Sequence, residues 1–168
     1  MKNILITGGA GCIGSSLVHA LLDNGNYFVQ VVDNLSTGNI DNLPDHCNFT
    51  LCDVNNYSEI SLVMQERQFD IVFHYAAIVG VKRTQENPLK VLDDINGIKN
   101  ILELSVKTKV KRVFYSSSSE VYGEPVSLPQ NEATTPLNSR VPYAIVKNIG
   151  EAFFRSYYKE FDLKYTIF

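Results

Sequence analysis

The chain has 168 residues, 45% hydrophobic and 20% charged, with a net charge of -3. That is ordinary globular composition, and enough chain for one domain with a sizeable core. The negative charge argues against a nucleic-acid surface, and no apolar run is long enough to span a bilayer.

Asn3–Thr7 is a short apolar strand candidate ending at glycines; it is too short, and lacks the flanks, for a signal peptide. Residues 13–24 place Ile13, Leu17, Val18, Leu21 and Leu22 on one helical face. Phe28–Asp33 and Asn48–Leu51 read as strands. Residues 57–67 read as a helix with Ile60, Val63 and Met64 on its buried side. Asp70–His74 is a strand, and 88–109 is one long helix that Pro88 can start. Lys111–Ser116 is a strand, 142–160 a helix and Leu163–Phe168 the last strand. The stretch from Gly123 to Val141 lacks periodicity and holds Pro125, Pro129 and Pro136; loops of that length are often functional.

Alternating strands and helices imply an α/β fold with parallel strands and helices on both faces. Right-handed crossovers favour a doubly wound parallel sheet. The chain stops inside the apolar run Tyr165-Thr166-Ile167-Phe168, which leads us to expect a fragment. Cys12, Cys47 and Cys52 have no metal-ligand spacing and cannot all pair, so they read as free thiols in a reducing cytoplasm.

The run Gly8-Gly9-Ala10-Gly11-Cys12-Ile13-Gly14 follows the first strand, and an amphipathic helix begins within it. Glycines let the backbone turn tightly and approach a pyrophosphate, and the helix N-terminus offers free N–H groups. The plain alternative is a tight turn. Asp33 ends the second strand, at the offset of an acid that bonds a ribose 2′-OH; a 2′-phosphate would be repelled there, which favours NAD over NADP. A turn or capping aspartate is the alternative. Asn34-Leu35-Ser36-Thr37-Gly38 is a polar turn placed to surround the adenosine ribose. Asp53 is a candidate acceptor for the adenine amino group, or a capping residue. His74-Tyr75-Ala76-Ala77 ends the fourth strand: its alanines let a cofactor lie close to the backbone, and His74 reads as a buried, satisfied histidine.

Ser116-Ser117-Ser118-Ser119-Glu120-Val121-Tyr122-Gly123 follows the fifth strand, and Tyr143 and Lys147 share one face of the next helix. A lysine ammonium beside a phenol lowers its pKa, so Tyr143 is expected to act as a base near neutral pH. The alternative for a lone Tyr-x-x-x-Lys is a solvated helix face.

Taken together, Thr7–Gly14, Asp33–Gly38, Asp53-Val54, His74–Ala77, Ser116–Gly123 and Tyr143–Lys147 resemble the extended short-chain dehydrogenase/reductase family, the nucleotide-sugar epimerases and dehydratases. The resemblance implies a Rossmann-type domain over 1–168 whose C-terminal substrate domain is absent from this chain. It implies NAD contacts at Gly8, Gly11, Cys12, Ile13, Gly14, Asp33, Asn34, Ser36, Thr37, Gly38, Asp53, Val54, Tyr75, Ala76, Ala77, Val79, Ser116, Tyr143 and Lys147. Tyr143 would take the proton from a sugar 4-hydroxyl, Lys147 would bind the nicotinamide ribose and tune Tyr143, and Ser118 would hold the 4-oxygen. The product of that step is a 4-keto sugar.

Asp33–Gly38 and Val79-Gly80-Val81-Lys82-Arg83 resemble UDP-sugar 4-epimerases. Ser119-Glu120 resembles UDP-glucuronate decarboxylases, and a 4,6-dehydratase ranks third because Ser119 breaks the usual acidic pair. Glu120 is then a catalytic candidate or a structural residue. A non-catalytic NAD-binding module is the reading from another class. The resemblance also implies a homodimer through a four-helix bundle of helices 88–109 and 142–160, with Ile98, Ile101, Leu102, Phe153, Phe154 and Tyr157 as candidate contacts, ordinary core being the alternative. One departure stands out: Asp94 occupies the place of the family's usual asparagine before Gly97.

Overall fold

The computed structural model describes residues 1–168, the side chain of Val81 excepted. Val81 belongs to the epimerase-like segment named above, and that part of the resemblance lies outside the described residues. The strands are β1 (Lys2–Thr7), β2 (Tyr27–Asp33), β3 (Asn48–Leu51), β4 (Ile71–His74), β5 (Arg112–Tyr115) and β6 (Lys164–Ile167). They form one parallel sheet in the order β3-β2-β1-β4-β5-β6. From β1 the chain moves outward to β2 and β3, then crosses back to β4 on the other side of β1. Strand order therefore reverses between β1 and β4, and ligands bind such sheets at the carboxyl ends beside that reversal. The register brings Thr7 opposite Val32 on one side and His74 on the other.

Side chains alternate across each strand and sort into two cores. Leu5, Val32, Val72 and Val113 pack with α2 (Tyr57–Glu66), α5 (Asp94–Lys107) and α6 (Pro142–Phe161). Ile4, Ile6, Val29 and Val31 pack against α1 (Cys12–Asn24). On the α1 side, Phe73 and Phe114 stack with ring centroids 4.6 Å apart and stay half-buried.

Local sequence explains the helix ends. Asn56 caps α2 through its side chain, which accepts the Ser58 N–H. Pro142 opens α6 at a position where its missing N–H costs nothing. Gly25 closes α1 in the left-handed conformation, at φ 72°.

Three expectations need correction. The long helix over 88–109 is interrupted: α4 (Pro88–Leu92) and α5 meet at Asp93, whose N–H turns back to the Lys90 carbonyl at 3.3 Å. A further short helix, α3 (Val81–Glu86), precedes them. Ile13 does not join the buried face of α1 but is 67% exposed, because the first turn of α1 lines the cavity at the carboxyl ends of the strands. Finally, Ile98, Ile101, Leu102 and Phe154 lie inside this chain's own core, so they are not dimer contacts. They turn inward because α5 and α6 pack on each other and on the sheet; Phe153 and Tyr157 remain part-buried at its margin.

Candidate active site

A cavity of about 640 Å³ opens at the carboxyl ends of the strands. One end is made by the glycine loop. Gly8 sits at φ 68°, and a Cβ there would come within 2.6 Å of the Ala76 nitrogen. Glycine is therefore required both for the backbone conformation and for the close approach of two strand ends. At Gly14 a Cβ would collide with the Gly8 carbonyl and lie 2.7 Å from Gly9 Cα. No side chain caps α1, so its first N–H groups remain available to an anion.

Asp33 is 9% exposed, and each of its oxygens holds a backbone N–H: Ala10 at 3.0 Å and Leu35 at 2.8 Å. Asp33 thus lines the cavity while closing a turn and fastening the glycine loop. Asn34, Ser36 and Thr37 line the same end, whereas Gly38 packs beneath it, where a Cβ would sit 3.0 Å from Ala10 Cβ and from Asp33 Oδ2. Asp53 accepts the Asn55 N–H at 2.9 Å and the Asn34 amide at 3.2 Å, and it lines the cavity beside Val54.

Tyr75, Ala76, Ala77 and Val79 form the middle of the cavity wall. His74 lies behind them, 2% exposed, with Nδ1 2.8 Å from the Thr7 hydroxyl. Burial, and then the Lys147 charge, drive its pKa down to about 3. It is a neutral, satisfied core histidine.

The far end holds Ser116, Tyr143 and Lys147. Lys147 is 4% exposed and donates from Nζ to the Ser116 carbonyl at 2.8 Å. Burial lowers its pKa to about 8, while the Asp94 carboxylate pushes it up. Ser117, also in the wall, donates to Glu151 Oε1 at 2.7 Å, which ties the end of β5 to α6.

The expectation that Lys147 lowers the Tyr143 pKa is not met. Lys147 Nζ lies 5.6 Å from the Tyr143 ring centroid and is spent on Ser116. Burial raises the Tyr143 pKa, the Glu120 and Asp94 charges add to that, and only the Ser118 hydroxyl pulls it down. Ser118 and Glu120 stand just outside the cavity wall: Glu120 is exposed, and its N–H bonds the Ser118 hydroxyl at 3.2 Å.

Sequence reasoning missed Asn55, Ser117 and Lys90, all of which line the cavity. Asn55 accepts the Gly97 N–H at 2.9 Å; its sequence signal is adjacency to Asp53-Val54. Lys90 stands on the separate short helix α4, which the apolar periodicity merged with α5.

A cradle of glycine backbone, an open helix N-terminus, a buried acid at the second strand end and a Tyr–Lys pair fit a dinucleotide bearing a nicotinamide. Comparisons point the same way. The pattern of the NAD dependent epimerase/dehydratase family matches residues 4–168. A UDP-arabinose 4-epimerase of Arabidopsis thaliana is 33% identical over 179 aligned residues, covering 99% of this chain and 42% of that protein. The crystal structure of a Thermotoga maritima UDP-glucose 4-epimerase with UDP-glucose superposes with a TM-score of 0.94 at 34% identity, over 99% of this chain and 54% of that one. A Thermus thermophilus UDP-glucose 4-epimerase in complex with NAD gives 0.92 at 31% identity, over 99% and 54%. The chain spans about half the length of the relatives it matches.

Proposed function

The chain belongs to the NAD dependent epimerase/dehydratase family, and on that premise we propose that it is the NAD-binding and catalytic part of a UDP-sugar 4-epimerase. The observation that carries the reading is one cavity lined at one end by the glycine loop and Asp33 and at the other by Tyr143 and Lys147. The 4-epimerases among its relatives support it further.

The chain's own residues divide the work. The α1 N-terminus takes the pyrophosphate, and Asp33 takes an adenosine ribose hydroxyl. When bound, the nicotinamide supplies the acceptor and then the donor of the hydride at C4. Tyr143 Oη holds and moves the C4 hydroxyl proton, which leaves a 4-keto sugar after oxidation. Ser118 Oγ donates to the same oxygen as charge develops on it. Lys147, which lines the same end of the cavity, would hold the nicotinamide ribose. Inversion follows when reduction occurs on the opposite face of the ketone.

The Ser119-Glu120 pair carries no second reading, because the relatives are UDP-sugar 4-epimerases. A non-catalytic module would not need Tyr143 and Lys147 at one cavity.

The proposal places the substrate-holding surface outside residues 1–168, so the isolated chain binds NAD and turns over poorly. It also includes a cytoplasmic location, supported by three free thiols, and a homodimer through a four-helix bundle of α5 and α6, with part-buried Phe153 and Tyr157 and exposed Phe161 as its remaining apolar candidates. The test is a panel of UDP-, GDP- and dTDP-sugars offered to the protein carrying this domain together with its substrate-holding part. Inversion at C4 of a UDP-sugar, lost in Tyr143→Phe, is expected. Unaltered turnover in that variant would sink the mechanism.

A further inference from the structure

Asp94 opens α5 and is 8% exposed, yet it lines the same cavity as Lys147. Its Oδ2 accepts the Ile78 N–H at 2.7 Å, and its Oδ1 accepts from the Asn55 amide at 3.5 Å. Asn55 is itself held by the Gly97 N–H at 2.9 Å. One carboxylate therefore ties three pieces together: the Tyr75–Val79 wall, the segment after β3, and α5. An uncharged amide could keep the Ile78 bond, so that bond does not explain a charge here.

Asp94 and Lys147 line the same cavity, and each charge favours the charged form of the other. Burial raises the Asp94 pKa; the Ile78 N–H, the Asn55 amide and Lys147 lower it, and Asp53 raises it. From α6 and β5, Tyr143 and Tyr115 also feel its charge. With an amide at position 94, the Lys147 end of the cavity would carry an unbalanced positive charge.

We propose that Asp94 is a positioning residue that clamps the Tyr75–Val79 wall through Ile78 and balances Lys147, so that the cavity favours the cationic, oxidised nicotinamide over the reduced one. The inference rests on the cofactor reading above. A neutral nicotinamide gains little from a nearby carboxylate, whereas a cationic one gains a direct attraction. The same attraction holds Lys147 as its ammonium.

The experiment uses the 168-residue chain without substrate. The Lys147 Nζ is titrated by NMR in the wild type and in Asp94→Asn, and NAD and NADH affinities are measured by calorimetry. Asp94→Asn is expected to move the Lys147 midpoint to lower pH and to weaken NAD roughly fivefold while leaving NADH nearly unchanged. Asp94→Ala, which also loses the Ile78 bond, is expected to weaken both forms, by roughly tenfold. By reciprocity, Lys147→Met raises the Asp94 carboxyl midpoint. That measurement decides the matter should Asp94→Asn fail to fold. Identical Lys147 midpoints in wild type and Asp94→Asn, or an unmoved Asp94 midpoint in Lys147→Met, overturn the proposal. A wild-type chain that binds no NAD overturns the cofactor reading instead, and the two titrations still decide the charge pairing.

Discussion

Lys147 gives its ammonium to the carbonyl of Ser116, 2.8 Å away, while the Tyr143 ring centroid lies 5.6 Å from it. The lysine is thus buried against a neutral acceptor, and its charge is costly in the folded chain.

That cost sets a pH dependence. Lys147 has its pKa lowered from 10.5 to about 8. Below pH 8 both folded and unfolded chains carry the proton, and the penalty is fully present. As pH rises from about 8 toward 10.5, the folded chain releases the proton first, the unfolded chain binds more protons, and stability rises. Relative to Lys147→Met, the wild type is expected to gain on the order of 2–3 kcal/mol across that window. Cys52, held up to about 12 by burial first, acts in the opposite sense once the unfolded thiol ionises, but it is present in both proteins and cancels in the comparison. Urea denaturation of both proteins between pH 7 and 10 checks it; parallel curves would contradict it.

Tyr143 offers two changes of opposite sign. Its phenol is raised by burial first, then by Glu120 and Asp94, and lowered by Ser118. Ser118→Ala is therefore expected to raise its titration midpoint and Glu120→Gln to lower it. Labelled-tyrosine NMR reads both, with Tyr143→Phe identifying the signal. Shifts in the same direction would show that these contacts do not govern the phenol.

The glycine loop makes a steric prediction. A Cβ at Gly14 collides with the Gly8 carbonyl, and only backbone movement can relieve it. Gly14→Ala is expected to cost about 1–3 kcal/mol of stability and to weaken NAD at least roughly tenfold, since the loop that takes the pyrophosphate must shift. Gly25→Ala is the control: a Cβ there meets nothing within 4 Å, although φ 72° still carries strain. It should leave NAD affinity unchanged.

Asp33 is expected to matter twice. Asp33→Ala leaves the buried Ala10 N–H and the Leu35 N–H without their acceptor, at about 1–3 kcal/mol each. Its removal also takes away the charge that repels a 2′-phosphate, so the preference for NAD over NADP should narrow. A thermal melt and competition between the two cofactors read the two effects separately. An unchanged preference would remove Asp33 from the cofactor reading.

Much of this architecture was legible because the signals were local. The strand before Gly8, the apolar face of α2 and the turn around Asp33 all follow from periodicity and residue type over a few positions. The misses depended on three-dimensional placement. Ile13 fits the helical stripe of α1, but the first turn of that helix lines the cavity instead of the core. Asp93 carries no glycine or proline to mark the break between α4 and α5. Tyr143 and Lys147 have the spacing of a coupled pair, yet the Ser116 carbonyl, set by β5, captures the ammonium first. Asn55 and Lys90 reach the cavity through contacts between segments distant in sequence.

Ala10, at the centre of the glycine loop, is fully buried. Its N–H bonds Asp33, and its carbonyl accepts from the Asn39 N–H at 3.1 Å and the Asn42 amide at 2.8 Å. The loop's shape is thus held by bonds from within the chain itself. Little configurational entropy is left to lose when a ligand arrives, and association needs no slow rearrangement there. The Ala10 amide should accordingly resist exchange with deuterated water in the free chain as strongly as the neighbouring residues of β1.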